Sequence, residues 1–503
     1  MKKIIINIFN ILTVTGIILI SCSKETVAPE KSNGYKVNIK AVNGSGSTKA
    51  INENAGKIVT TFLNTENIYF CNLSDANKID ATPVNPTPDA VDAHDARIVG
   101  TLSGETSASV AITYAVGNNL RLLYNTPSNG VVDYTAQNGT FAALVNSATA
   151  DVTINGLSGN EITASDANFL NLQSIFKLTF KYGETTLNVK YFRITSGGNK
   201  LQYQYNAATG TGSYGPVDVY TTSTAPYYVA LRFDATPSDP IVFEVVDTDG
   251  KVYTGVKNAP ATSGFANSKF YTTDISVTPH VFSLSETKAV YFAPGNLVKS
   301  GANHLFERAY FSNLGYGSAD PATADPTSYF QWSQISSSVN KLTDVPVLFT
   351  IAGVSNWKTF GHKEMTYLIN SRSMTAGVAR YYVVSQSNIT SGVGLLLPPD
   401  GATTGDVSGL TSGSFTSNIN IATYIAKGFV FLPAEGYYRS SWRIIDSYYD
   451  KNIFGYYWDC SYYSASGAQF LNFEGTTSSP YYEIVYNSYM ENTPYCSVRL
   501  YHQ

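Results

Sequence analysis

Charge is what this sequence has least of. Of 503 residues, 14% are Asp, Glu, Lys or Arg, against roughly 25% in an average soluble protein. That scarcity excludes a helical coiled coil, whose flanking positions draw on Lys, Glu and Arg. The two signs nearly cancel, at a formal net charge of −4, so the chain carries no basic footprint for nucleic acid. Histidine is scarce as well: His94, His280, His304, His362 and His502 show no zinc-ligand spacing. Neither a glycine-rich phosphate loop nor a nucleophile elbow is present. The residues nominate no catalytic group, no metal site and no cofactor, and the expectation is a protein that is not an enzyme.

What the sequence does have is apolar and aromatic matter. Residues of the hydrophobic class make up 43% of the chain, enough for several cores and too much for a disordered chain. At about 150 residues per domain the length suggests about three domains. Tyrosine stands out at 37 residues, 14 of them from Tyr437 onward. A low-charge chain rich in Tyr, Thr, Ser and Val is typical of extracellular β proteins.

The N-terminus reads as an address. Met1-Lys2-Lys3 is a short basic start, and Ile4 to Ile20 is an apolar stretch interrupted by Asn7, Asn10, Thr13, Thr15 and Gly16. The stretch is short and polar for a membrane span, and it ends at a small residue before cysteine. Leu19-Ile20-Ser21-Cys22 resembles the bacterial lipobox, which implies a signal peptide over 1–21, acylation of Cys22 and a tether over 22–34. An uncleaved membrane anchor is the alternative. Acylation supplies more than one chain, which makes membrane attachment durable. Ser23-Lys24-Glu25-Thr26 follows the cysteine without an aspartate, a pattern similar to outer-membrane sorting, with the cell surface as destination.

Period-two alternation dominates the mature chain. Tyr35, Val37 and Ile39 alternate with Lys36, Asn38 and Lys40, a half-buried strand. Further strands are expected at Ile58–Leu63, Asn67–Cys71, Ala108–Val116 and Asn119–Tyr124, with Ala81–Ala96 as a long surface loop. A second block, from about Asn171, offers Ser174–Tyr182, Leu187–Ile194, Tyr227–Phe233 and Ile241–Val246. Asp247-Thr248-Asp249-Gly250 opens like a calcium loop, but no glutamate follows at the twelfth position, and a tight hairpin turn at Asp249-Gly250 is the better reading.

These two blocks resemble the fimbrillin-like proteins of Bacteroidota, pilus subunits built as paired β-sandwiches. The resemblance rests on Ser47-Thr48-Lys49-Ala50, Asn67-Ile68-Tyr69-Phe70, Ser174-Ile175-Phe176-Lys177-Leu178-Thr179-Phe180, Asp249-Gly250-Lys251-Val252-Tyr253-Thr254-Gly255 and Lys269-Phe270-Tyr271-Thr272-Thr273-Asp274-Ile275. It implies fimbrillin-type (transthyretin-like) β-sandwiches over 35–160 and 161–282. It also implies assembly with other pilus subunits by strand addition after cleavage at an early arginine. Here the first arginine is Arg97, too far along the chain to release the first strand alone, which leaves tip, anchor and stalk positions open.

From about Ser285 the composition shifts. Trp332, Trp357, Trp442 and Trp458 all fall here, with 22 of the 37 tyrosines. Ala293-Pro294-Gly295-Asn296 opens the block. Asn356-Trp357-Lys358-Thr359-Phe360 follows, then a helix expected over His362 to Ser371, with Met365, Leu368 and Ile369 on one face. Phe431-Leu432-Pro433-Ala434, Gly455-Tyr456-Tyr457-Trp458 and Ser497-Val498-Arg499-Leu500 complete the series. This order resembles the "major paralogous" domains of bacterial surface proteins, which implies a C-type-lectin-like α+β domain over 285–503. Trp357, Phe431, Leu432, Trp458 and Val498 read as core. The same fold serves formylglycine-generating enzymes, whose cysteine pattern is absent.

Tyr448-Tyr449, Tyr456-Tyr457, Tyr462-Tyr463 and Tyr481-Tyr482 are adjacent pairs. Neighbours along a strand point to opposite faces, so at most one of each pair serves a given core. With Asp459, Asn487 and Tyr489 they form a candidate ligand-binding face, of the composition used by antibody combining loops. The competing reading is a β surface rich in tyrosine for strand propensity alone. Ligand domains of the resembled fold are targets of diversity-generating retroelements, whose adenine randomisation yields Tyr, Asn, Ser, Asp and Cys, and the stretch from about Tyr437 to Tyr495 fits that output. Cys460 and Cys496 could form a disulfide in an export compartment; a free thiol is the alternative. Asp400 and Asp459 could serve calcium, although solvated surface fits them better. The expectation is a cell-surface adhesin, a pilus tip subunit binding a protein or glycan ligand. The alternatives are an outer-membrane lipoprotein capturing polysaccharide for uptake and a structural anchor or stalk.

Overall fold

The computed structural model describes residues 34–43, 50–54, 57–90, 95–198, 200–300, 303–306, 330–331, 347–386, 393–434, 438–439, 454–464, 467–474, 484–485, 489–491, 494–496 and 498–503. The fold is mainly β, in several sheets; among the described residues the helices are short, a single 3-10 turn at Phe141–Ala143 and the segments His362–Thr366, Tyr367–Ser371 and Ile421–Ile425. No helix among the described residues is long and apolar enough to cross a membrane.

The first sheet runs, in spatial order, through Lys78–Ile79, Ile68–Asn72, Asn119–Tyr124, Ala148–Ser158, Glu161–Ala164, Tyr35–Asn43, Ala96–Leu102 and Pro86–Pro88. Strand Ala167–Asn171 pairs with both Tyr35–Asn43 and Ala148–Ser158 and folds the sheet back around a core of Ile39, Phe70, Ile98, Leu122, Val152 and Phe169. Val37, Ile39 and Ala41 are buried while Lys36, Asn38 and Lys40 are exposed, as a half-buried strand requires. The boundary expected at 160/161 falls inside this sheet, because Glu161–Ala164 and Ala167–Asn171 still pair with Tyr35–Asn43. Arg97 lies opposite Lys40 in the ladder between Tyr35–Asn43 and Ala96–Leu102.

Two expectations for this region are corrected. The stretch Ala81–Ala96 is no simple loop: Val84 bridges Ile68, and Pro86–Pro88 pairs with Ala96–Leu102 as the last strand of the sheet. Proline lacks a ladder donor, and a sheet edge tolerates that. Conversely, Ala108–Val116 is not a strand of any sheet. Ile112 and Tyr114 are buried in alternation, but their neighbours bond elsewhere. Thr113 N donates to Asp75 Oδ2, Asn72 Nδ2 donates to Thr113 O, and Ala115 N donates to Asn118 Oδ1. Alternating burial was legible; the side chains that replace a partner strand were not.

The second sheet repeats the plan. Its order is Thr211–Tyr214, Leu201–Asn206, Tyr227–Phe233, Ser174–Tyr182, Phe270–Pro279, Val252–Lys257, Ile241–Asp247, Val189–Ser196 and Val217–Tyr220. In both sheets the opening strand lies parallel to closing strands: Tyr35–Asn43 to 161–171, and Ser174–Tyr182 to Phe270–Pro279. The hairpin turn expected at Asp249-Gly250 is present. Asp247 Oδ1 accepts Asp249 N and Lys251 N, and Gly250 takes φ +80°.

The two sheets are not independent. Val131–Asp133, from the first half, pairs with Leu201–Asn206. Gln137 donates its side-chain amide to Ala230 O and accepts Ala230 N, extending the second sheet as a backbone strand would. Leu123, Val132 and Tyr134 join the core of the second sheet.

The C-terminal part docks on the second sheet along a buried seam. Tyr191, Val246 and Val252 share one cluster with Leu297, Trp357 and Val498. Arg193, fully buried, donates to both carboxylate oxygens of Asp218 at 2.8 and 3.1 Å, and its third nitrogen donates across the seam to Pro294 O at 2.8 Å. Two imidazoles complete the contact. The His502 ring lies against Gly250 and the His280 ring against Gly428, both at positive φ, where a Cβ would overlap the ring.

Candidate binding face

Four motif segments of the C-terminal part meet in one buried knot. Arg499 donates to Asn296 Oδ1 and to Phe431 O, both at 3.2 Å. Asn296 Nδ2 donates to Tyr457 Oη, which donates in turn to Pro433 O at 2.9 Å. The segments Ala-Pro-Gly-Asn, Phe-Leu-Pro-Ala, Gly-Tyr-Tyr-Trp and Ser-Val-Arg are thus hydrogen-bonded together through Asn296, Phe431, Pro433, Tyr457 and Arg499. Buried polar groups are costly unless paired, and here they pair with one another. Trp357, Phe431, Leu432 and Val498 are core, as expected. The side chain of Trp458 lies outside the described residues.

The helix expected over His362–Ser371 is present as an α-turn, His362–Thr366, continued by a π-turn, Tyr367–Ser371, with Met365, Leu368 and Ile369 buried. Glu364 holds its start by accepting Gly361 N, and is paired with Lys288. Tyr501 Oη bridges the same two side chains, accepting from Lys288 and donating to Glu364.

The tyrosine-rich end forms its own sheet. Phe454–Ser464 pairs with Gly467–Glu474, which pairs on its other side with Ile484–Val485 and Tyr489–Glu491. Register sets Tyr456 opposite Asn472, Tyr462 opposite Ala468, and Tyr489 opposite Gln469. A break in register between Trp458 and Tyr462 spans Asp459 and Cys460. Leu471 and Phe473 are buried with Tyr457, and the Tyr457 and Phe473 rings stack 6.1 Å apart.

Tyr457 is therefore withdrawn from the candidate binding residues. It is fully buried and hydrogen-bonded in the knot, so it anchors the sheet rather than meeting a ligand. Tyr456, Asp459, Tyr462, Tyr463 and Tyr489 are placed in the sheet by their backbone, with side chains outside the described residues. Tyr448, Tyr449, Tyr481, Tyr482, Asn487 and Cys22 lie outside altogether. Cys460 and Cys496 sit on strands of different sheets that pack beside each other, Phe454–Ser464 and Pro494–Cys496. Cys71 is a free, buried thiol, pushed up to about 11 by burial, and so is inert at neutral pH.

Asp400 was expected on solvated surface and is instead tied into the structure. It accepts Ser283 Oγ and lies 3.6 Å from Arg372, a buried guanidinium that stands over the Phe282 ring. Among the described residues no three acidic, histidine or cysteine side chains converge as a metal site. Sequence reasoning missed the Arg372 cluster, because an arginine after a helical pattern signals a helix end and nothing about what it reaches.

No protein-family model matches the chain, and no curated protein matches it. Solved structures similar to part of it include a candidate cell adhesion protein from Bacteroides ovatus, at 15% identity and TM-score 0.28, over 49% of this chain and 96% of that one. Another is a candidate cell adhesion protein from Bacteroides uniformis, at 14% identity and TM-score 0.27, over 48% and 95%. A third is a fimbrial assembly protein from Parabacteroides distasonis, at 9% identity and TM-score 0.27, over 52% and 94%.

Proposed function

We propose that this chain is a cell-surface adhesin that carries two fimbrillin-like sandwiches and presents a C-type-lectin-like domain as the tip subunit of a pilus. One observation carries the reading: the tyrosine-rich segments 454–464 and 489–491 share a sheet with 467–474, pinned to the core through Tyr457. A sheet held that way offers a rigid support for variable side chains, and large aromatic contacts on a rigid frame lose little entropy on binding. The ligand face in this proposal comprises Tyr448, Tyr449, Tyr456, Asp459, Tyr462, Tyr463, Tyr481, Tyr482, Asn487 and Tyr489. Retroelement diversification would vary these positions, and a Cys460–Cys496 disulfide would staple two of the strands.

Acylated Cys22 anchors the chain at the outer membrane, and other pilus subunits join by strand addition. Arginine-directed trimming is a poor fit, because Arg97 sits inside the ladder with the first strand.

The test is a triple substitution, Tyr456→Ala, Tyr462→Ala and Tyr481→Ala, in the full chain, read on glycan and host-protein arrays. We expect array binding to fall at least about tenfold, in line with aromatic hot spots, while the melting temperature holds. Unchanged array binding by a folded triple variant overturns the assignment of the face. Recovery of the chain only as a membrane monomer, never with assembled pili, overturns the tip position and favours the polysaccharide-uptake alternative.

A further inference from the structure

A second candidate site, with no residue of the tyrosine sheet in its lining, lies where the π-turn Tyr367–Ser371 ends. The loop that follows is closed by two arginines that clasp each other's backbone: Arg380 Nε donates to Arg372 O at 2.7 Å, and Arg372 Nη2 donates to Arg380 O at 3.0 Å. Within the loop, Val378 N donates to Thr375 O, and Gly377 turns at φ +83°. Between this loop, Asn370 of the π-turn and Ser412-Gly413 of a facing loop lies an open cavity of about 530 Å³. π-Turns inside helices occur frequently at functional sites.

The chemistry of the wall is specific. Its side-chain polar groups come from Asn370, Thr375, Arg380, Tyr381 and Ser412, and Arg380 is the charged member, with no carboxylate beside it in the lining. The clasp takes up Nε of Arg380, and its terminal nitrogens have no hydrogen bond to the protein among the described residues. Behind it, Arg372 is a second guanidinium, fully buried, with Nε unpartnered and the Asp400 carboxylate at 3.6 Å, beyond hydrogen-bond range. Asp400 stands beside Arg372 and outside the lining, so the charge on the pocket wall is the positive one of Arg380. A planar fork with its stem fixed is arranged for two parallel hydrogen bonds to a carboxylate. The surrounding hydroxyl and amide groups suit a polyhydroxylated ring better than an apolar one.

We propose that this pocket binds an acidic sugar unit, with the sugar carboxylate on the terminal nitrogens of Arg380 and its hydroxyls on Asn370, Thr375 and Ser412. The site is separate from the tyrosine sheet and does not depend on the reading given to that sheet.

The test is isothermal titration of the full-length chain with galacturonic acid and, in parallel, with galactose. Binding of the acid should exceed binding of the neutral sugar by about tenfold or more and should weaken in high salt, as a charge-assisted pair requires. Arg380→Gln should lose about tenfold and Arg380→Lys somewhat less, because a point charge replaces a fork. Ser412→Trp provides the control for folding: it fills the cavity from the opposite wall without touching the clasp, and should abolish binding at an unchanged melting temperature. Tyr456→Ala should leave galacturonic acid binding intact. Equal binding of acid and neutral sugar, no binding of the acid, or wild-type binding by Ser412→Trp overturns the proposal.

Discussion

Arg193 and Arg372 are both fully buried, yet they do opposite things with their charge. Arg193 spends every nitrogen: two on Asp218 and one on Pro294 O across the seam. Tyr191 adds a hydrogen bond to the same Asp218 oxygen at 3.1 Å. Arg372 has a backbone carbonyl and a ring face, but Nε is unpartnered and its carboxylate stands off. Burial pulls the Arg372 guanidinium down to about 10, with Asp400 only partly opposing. A completed pair works as a strut. An incomplete one leaves an uncompensated positive charge behind the wall that Arg380 lines. The seam is thus built for rigidity and the 372–380 loop for contact.

The sharpest way to break that comparison is to remove each arginine in turn. Arg193→Leu strands the Asp218 carboxylate, which is nearly buried, and cuts the tie to Pro294. Breaking one partner of a buried pair costs about 3–5 kcal/mol, and denaturant unfolding should show a loss of that size. The double variant Arg193→Leu, Asp218→Leu should recover most of it, because no uncompensated charge remains. If Arg193→Leu unfolds within about 1 kcal/mol of the parent, the strut reading fails, since that is the scale of an ordinary hydrogen bond. Arg372→Leu should cost only about 1 kcal/mol in the same measurement, because the guanidinium makes one hydrogen bond, to Arg380 O, and Asp400 keeps the bond from Ser283 Oγ in a side chain that is 23% exposed. A loss as large as at Arg193 would erase the contrast between the two sites.

How much of this was readable beforehand depends on the range of the interaction. Strands Ser174–Tyr182 and Tyr227–Phe233 run as alternation indicated, because half-burial imprints a local period. The helix after Trp357 was legible for the same reason. Pro86–Pro88 was not, since proline signals a turn and only the neighbouring strand reveals an edge. Tyr457 shows both sides: pairing of adjacent tyrosines allowed one inward member, but which one is decided by Asn296 and Pro433, distant in sequence. The Arg372–Arg380 clasp spans eight residues yet leaves no periodic trace. Side-chain bonds to backbone carry no pattern that composition or spacing records.

The smallest effect tests whether the seam is as dry as Arg193 implies. His502 is buried against Gly250, with Nε2 2.9 Å from Ser355 O and its ring 5.3 Å from Trp357. His280 is half-buried against Gly428, with Nε2 2.8 Å from Thr254 Oγ1. Burial lowers both imidazoles below their ordinary value; Asp406 opposes this at His280, and at His502 the Ser355 carbonyl, Asp247 and Asp249 oppose it while Lys358 reinforces it. A histidine lowered in the folded state binds fewer protons there than in the unfolded chain. Its stabilising contribution is therefore complete above the unfolded value near about 6.5 and declines as pH falls through that value and below. We expect the melting temperature of the full chain to drop by about 2 °C more, between about pH 7.5 and about pH 5.5, than that of His280→Gln, His502→Gln. Identical pH profiles for the two proteins would mean that water reaches both rings. The seam would then be held by Arg193 and its apolar cluster alone, and Arg193→Leu should separate the two parts more completely than either histidine change.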